Sequence, residues 1–221
     1  MPGDLFADQA ANNPLTTIEG EAKLRDLLAK KVIFVAVTPH PLEFQDPGFL
    51  PLRFGMAVRT LRGGHSVILT SLTLVKDADA VKLSMHGRKE SVNANVKLSL
   101  DKEGLAVLGC ASGEGHGPCD ATISPVAPSG AADPGRLLFF LAPAGGDLLT
   151  VSSVTSAGNA DPDLETLIVI NGRLPSGTPL FDREGKVAAV VVRPTFGDLN
   201  RSLATRLAPP GKPLSGKKAD K

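Results

Sequence analysis

Short apolar runs, rich in β-branched residues and broken every eight to twelve positions by glycine or proline, constrain this chain more than any other feature. "VIFVAV" from Val32, "FGMAVRTL" from Phe54, "HSVILTSLTLV" from His65, "GLAVLGC" from Gly104, "RLLFFLAP" from Arg136, "DLLTVSSVTSAG" from Asp147, "ETLIVING" from Glu165 and "GKVAAVVVRP" from Gly185 all have this form. Runs this short cannot be long helices, and their spacing is that of strands in an all-β sandwich or barrel. The 23 glycines and 18 prolines among 221 residues supply the turns. "RGG" at 62–64 and Gly87 each read as a hairpin turn, the latter inside "AVKLSMHGRKESVNANVKLSL".

Two stretches carry a helical signal. "TTIEGEAKLRDLLAKK", residues 16–31, predicts a helix with Thr16 and Glu19 as a capping box. Ile18, Leu24, Leu27 and Leu28 form its apolar stripe, and Lys30 and Lys31 sit at the negative end of its dipole. Gly20 weakens its first turn. "FGDLNRSLATRL", near the end of the 136–207 segment, predicts a short second helix. Between the strand groups, residues 111–135 are dense in Gly, Pro and Ser and read as a connector or long surface loop. The expected organisation is therefore a flexible lead at 1–15, a helix at 16–31 and a first barrel at 32–110. The connector at 111–135 leads to a second barrel with its short helix at 136–207 and a disordered basic tail at 208–221.

Composition excludes some classes. A formal net charge of +1 argues against a dedicated nucleic-acid binder. Apolar residues at 42% are enough for a core. No run reaches the roughly 18–20 apolar residues of a membrane span. "MPGDLFADQAANNPL" has neither the basic nor the apolar region of a secretory leader. With Met1 as the true start the expected compartment is the cytoplasm; with a leader removed ahead of it, the periplasm. Lys212, Lys217, Lys218 and Lys221 in the tail read as a solvated end.

Cys110 and Cys119 flank "ASGEGHGP". They suit a disulfide in an oxidising compartment, or two of the ligands of a soft metal with His116, although a structural zinc wants a fourth ligand. Two reduced thiols, with no cofactor, is the preferred reading.

Four blocks, in order, carry a more specific signal: "ILTSLTLVKDADAVKL" with "HGRKESVNANV", then "LDKEGLAVL", then "GRLLFFLAPAGGDLLTVSSVTSAG", then "LPSGTPLFDREGKVAAVVV". Together they resemble the trypsin-like serine proteases, specifically the HtrA (DegP-type) protease domain, from about Val32 to Leu207. The resemblance implies an all-β fold of two packed Greek-key β-barrels, with short N- and C-terminal helices. It also implies a groove between the barrels that recognises extended peptides, and association through N-terminal segments.

Carried over residue by residue, the family's nucleophile falls on Ser176. Its histidine falls on Thr73 and its aspartate on Gly104. The glycine that supplies an oxyanion donor falls on Leu174, followed by Pro175, and the glycine after the Ser-Gly pair falls on Thr178. A serine hydroxyl needs a base to take its proton, and a threonine hydroxyl is not one near neutral pH. Losing the base costs several powers of ten in rate, and losing a hole donor on the order of two or three more. Thr73 reads as a small polar filler of the histidine's space.

Substitute bases to weigh are His40, His65, His86 and His116, with His65 and His86 on turns remote from the cleft. Lys76 and Lys102 are read as solvated, and Glu103 as pointing away from the site. The expectation is a catalytically inactive, protease-like module that binds a protein or extended peptide, an active protease among the candidate partners. The alternative is a serine endopeptidase or hydrolase that uses Ser176 with a non-standard base.

Overall fold

The computed structural model describes residues 13–40, 52–88, 90–111, 117–120, 122–130, 132–145, 148–161, 166–195 and 197–207. The lead at 1–12, His116 and the tail lysines lie outside them.

Six strands follow the first helix: β1 (Val32–Pro39), β2 (Arg53–Arg62), β3 (His65–Ser71), β4 (Ala78–Met85), β5 (Ser91–Leu100) and β6 (Leu105–Cys110). They close into a barrel in the order β1-β2-β3-β6-β5-β4. Six more, β7 (Leu137–Gly145), β8 (Leu148–Asn159), β9 (Leu167–Asn171), β10 (Pro179–Phe181), β11 (Val187–Pro194) and β12 (Arg201–Arg206), close a second barrel in the order β10-β11-β12-β9-β8-β7. All the ladders are antiparallel. Closure removes the open edges that short strands would otherwise expose.

The alternation along β2 divides its side chains between two cores. Along β2, Ala57 points into the first barrel, packed among Ile33, Ile68 and Leu83. Met56 and Val58 point the other way. They join Leu69, Leu105, Phe139, Leu141, Phe181, Val190 and Val192 in a core shared by both barrels. A third cluster, including Leu138, Ile168, Leu180 and Ala189, fills the second barrel.

Four local expectations differ from the structure. The first helix, α1, spans Ile18–Ala29, and its N-cap is Thr17, whose side chain accepts from the Gly20 N–H. Thr16 instead ends a 3-10 turn and donates to the Asn13 carbonyl at 2.8 Å. Gly20 is required there, because a Cβ would lie 2.3 Å from the Pro14 carbonyl oxygen. Of the expected stripe, Leu24 and Leu28 are buried, whereas Ile18 is 91% exposed. Lys31 donates across to the Gly185 carbonyl at 2.7 Å, and partial burial lowers its pKa.

Second, the run from His65 leaves the sheet at Ser71, and Leu72–Val75 forms one helical turn, α2. Third, the expected C-terminal helix is β12, whose ladders to β11 and β9 complete the second barrel. Ser202 and Ala204 alternate inward with a period of two, and ladder pairing on both sides outweighs local helical propensity.

The fourth concerns the thiols. Cys110 and Cys119 form a disulfide, with Cα atoms 5.9 Å apart, in place of the expected free pair. β6 delivers Cys110 to the barrel's end, and the 3-10 turn Gly117–Cys119 brings its partner back within bonding distance. Neither sulfur remains as a thiolate to ligate a metal.

Past the disulfide, the connector crosses from barrel to barrel in contact with both. Val126 is buried and makes a parallel bridge to Thr60. Pro128 bridges to Val187, and the Ser129 N–H donates to the Val187 carbonyl at 2.7 Å.

Candidate functional site

Ser176 lies in the turn that leads from β9 into β10. Leu174 is buried in the second barrel's core and pins the front of the turn. The Thr178 N–H and hydroxyl both donate to the Pro175 carbonyl, at 3.2 and 2.7 Å. Gly177 is left-handed, at φ 85°, and its N–H donates to the Val191 carbonyl at 2.7 Å. A Cβ on Gly177 would lie 2.1 Å from the Met56 carbonyl oxygen, so the backbones of the two barrels touch here and only glycine fits.

The first barrel supplies the opposite wall. Thr73 stands in α2 and is exposed, so it fills no buried space, contrary to the expectation. The next residue, Leu74, packs toward Gly55. A Cβ on Gly55 would meet the Leu74 side chain at 2.4 Å and the Ser176 carbonyl at 2.5 Å. Gly104 caps the 3-10 turn Asp101–Glu103 at φ 65°, and its carbonyl accepts from the Leu72 N–H at 2.8 Å. The Ser176 turn and α2 thus meet at Gly55, and α2 is bonded at Leu72 to Gly104.

Two hydroxyl hydrogen bonds cross the seam between the barrels, and an ion pair within the first barrel fixes the Glu103 turn beside it. The Ser71 hydroxyl donates to the Val192 carbonyl at 2.6 Å. The Thr205 hydroxyl donates to the Glu103 carbonyl. The Glu103 carboxylate takes both terminal nitrogens of Arg62, at 2.7 and 2.6 Å, and that pairing raises the arginine's pKa. Glu103 is therefore committed to an ion pair.

The chemical capacity of the turn is limited. Among the described residues, no hydrogen bond reaches the Ser176 hydroxyl. His65 opens β3 and His86 sits in the β4–β5 turn, both exposed. His40 is exposed too, and its backbone N–H donates to the Asp77 carbonyl at 3.0 Å. Lys76 and Lys102 are exposed.

The amides of the turn are mostly engaged. The Leu174 N–H donates to the Ser202 hydroxyl at 3.0 Å, and that hydroxyl donates onward to the Gly172 carbonyl at 2.8 Å. Pro175 has no N–H, and those of Gly177 and Thr178 are bonded as above. From 174 to 178, the Ser176 N–H alone lacks an internal partner among the described residues. One donor is half of what a two-donor oxyanion hole provides. Ser202 is the residue that the sequence reading missed. Its signal is the period-two pair Ser202, Ala204 within Arg201–Arg206.

Two closed six-stranded antiparallel barrels, sharing a core and meeting at a serine-bearing turn, define the chymotrypsin/trypsin-like fold. Solved structures of serine proteases share it. The Rv3671c protease from M. tuberculosis, in its active form, superposes with a TM-score of 0.58 at 17% identity, over 82% of this chain and 79% of that one. A human pathogenic astrovirus serine protease gives 0.54 at 17% identity, over 82% and 91%. The HtrA-type protease AlgW, solved with a tripeptide, gives 0.58 at 15% identity, over 80% of this chain and 56% of that one. No protein-family model matches the sequence, and no curated protein matches it.

Proposed function

We propose that this chain is a non-catalytic, trypsin-like module, a pseudoprotease of HtrA type, that binds an extended peptide or protein segment in the cleft between its barrels and serves as a scaffold or regulator. The observation that carries this reading is the isolation of the Ser176 hydroxyl: no described group accepts its proton, with Thr73 and Gly104 at the positions matched to base and orienter. The commitment of the Leu174 N–H to Ser202 supports it further. Loss of acid–base chemistry leaves a peptide groove intact, because strand addition uses backbone groups and pockets rather than a base. AlgW was solved with a tripeptide, and the proposal extends peptide binding to this chain. The partner is a protein or peptide segment, an active protease among the possible classes, bound by the monomer or an oligomer.

The disulfide bears on location. Such bonds persist in oxidising compartments, so it favours the periplasmic expectation over the cytoplasmic one.

The test is labelling with a fluorophosphonate probe, with Ser176→Ala as control and a folded-state check on both proteins. The expected outcome is no labelling of wild type above that control. Labelling lost in Ser176→Ala, together with peptide hydrolysis lost in the same variant, would establish the other reading, a hydrolase with a non-standard base.

A further inference from the structure

Phe54 is the most conspicuous side chain near the Ser176 turn that nothing above uses. It is 68% exposed, and its neighbour Leu52 is 53% exposed. By strand alternation Phe54 shares a face of β2 with Met56 and Val58, which lie in the core common to both barrels. The apolar line of the seam therefore runs out of the interior and ends on an uncovered aromatic ring. Its position is fixed, because Phe54 lies between ladder pairs to β1 on either side, Arg53 with Val37 and Gly55 with Val35. Gly55 is in turn the residue against which the Ser176 carbonyl rests.

Among the described residues, the segments flanking the turn carry charge of one dominant sign. The four segments that frame the turn, residues 52–54, 73–77, 173–176 and 192–194, contain Arg53, Lys76, Arg173 and Arg193, against Asp77 alone. The Arg53 guanidinium reaches over to the Lys76 carbonyl at 3.2 Å, which places α2's end beside β2's start. Lys76 and Arg173 are exposed and make no ion pair with a described residue.

Resting on the peptide-binding reading, we propose that Phe54 and Leu52 form an apolar anchor point at the mouth of the cleft, and that Lys76 and Arg173 select an extended peptide carrying an apolar side chain flanked by carboxylates. A ring that passes from two-thirds exposed to covered gains hydrophobic free energy on binding, and the charged rim steers and discriminates.

The experiment uses the full chain on an array of decapeptides. Each carries one central Phe or Leu, flanked by Asp and Glu, by Ser, or by Lys and Arg. Wild type is expected to retain the acid-flanked set most strongly and the basic set least, with the difference shrinking as salt rises. Phe54→Ser, at an exposed site that leaves the core intact, is expected to bind about tenfold or more weakly. Arg173→Glu is expected to reduce the preference for acidic flanks. Retention unchanged by Phe54→Ser, or a preference for basic flanks, overturns this inference and leaves peptide binding standing. No retention of any peptide by wild type overturns both.

Discussion

Gly104 shows how a single backbone angle closes a chemical route. At φ 65° it occupies the left-handed region, and a Cβ there would stand 3.2 Å from the Cβ of Val192. An aspartate at this position is therefore strained before it reaches any partner. Gly104→Asp is expected to lower stability by about 1–2 kcal/mol from the backbone alone, with the Val192 contact adding to it. Denaturant unfolding would measure the loss, and an unchanged midpoint would contradict the assigned conformation. The double variant Thr73→His/Gly104→Asp is accordingly expected to give no peptide hydrolysis, since its carboxylate would start from a distorted turn.

At this scale the sequence was legible where chemistry depends on residue type. That Ser176 sits in a glycine- and proline-rich turn between two apolar runs is readable from residue type alone. Ser202's capture of the Leu174 amide was not legible, because it depends on a contact 28 residues away, made only once β12 lies beside the turn.

Among the elements, the strands could be read because Gly and Pro punctuate short β-branched runs. The errors fell where tertiary pairing outweighed local preference. "NRSLATRL" has good helix formers, yet Arg201–Arg206 completes a barrel that would otherwise remain open between β11 and β9. The connector looked like a passive loop. Its glycines and prolines mark turns, but the hydrogen bonds that fix it come from Arg59, Thr60 and Val187, invisible in local composition.

The disulfide anchors this element's first turn and closes a loop of nine positions. In the chain-entropy view such a crosslink contributes about 2–3 kcal/mol. Adding a dithiol reductant is thus expected to lower the melting temperature by about 5–10 °C for a chain of this size. Hydrogen exchange should rise first at Gly117–Asp120 and then along 122–130. If exchange there matches the oxidised protein, the connector is held by its barrel contacts alone and the crosslink is dispensable.

For the molecule as a whole, the question is whether the two barrels are one cooperative unit. Each has an interior of its own, which would allow independent unfolding. The third core argues against it. Met56, Val58, Leu69 and Leu105 of the first barrel pack with Phe139, Phe181, Val190 and Val192 of the second, and Leu24 and Leu28 of α1 close over the same cluster. Separating the barrels would expose all of these side chains, at roughly 1.5–3 kcal/mol for each fully buried one. It would also break the inter-barrel hydrogen bond from Ser71 to the Val192 carbonyl. Those losses together rival the entire stability of an ordinary domain, roughly 5–15 kcal/mol, so neither barrel should persist once the other opens. Calorimetry is expected to show a single transition whose van't Hoff and calorimetric enthalpies agree. Ser71→Ala separates the two cases further. Leaving a buried acceptor unpaired costs about 1–3 kcal/mol. In a cooperative molecule that loss shifts the one transition downward without broadening it. In a molecule of two independent barrels, the same substitution would split the trace and leave one component at the wild-type midpoint. A split would mean that the Ser176 turn is seated against Gly55 and Met56 by docking of two finished halves, and the geometry of that contact would then vary with the strength of the docking.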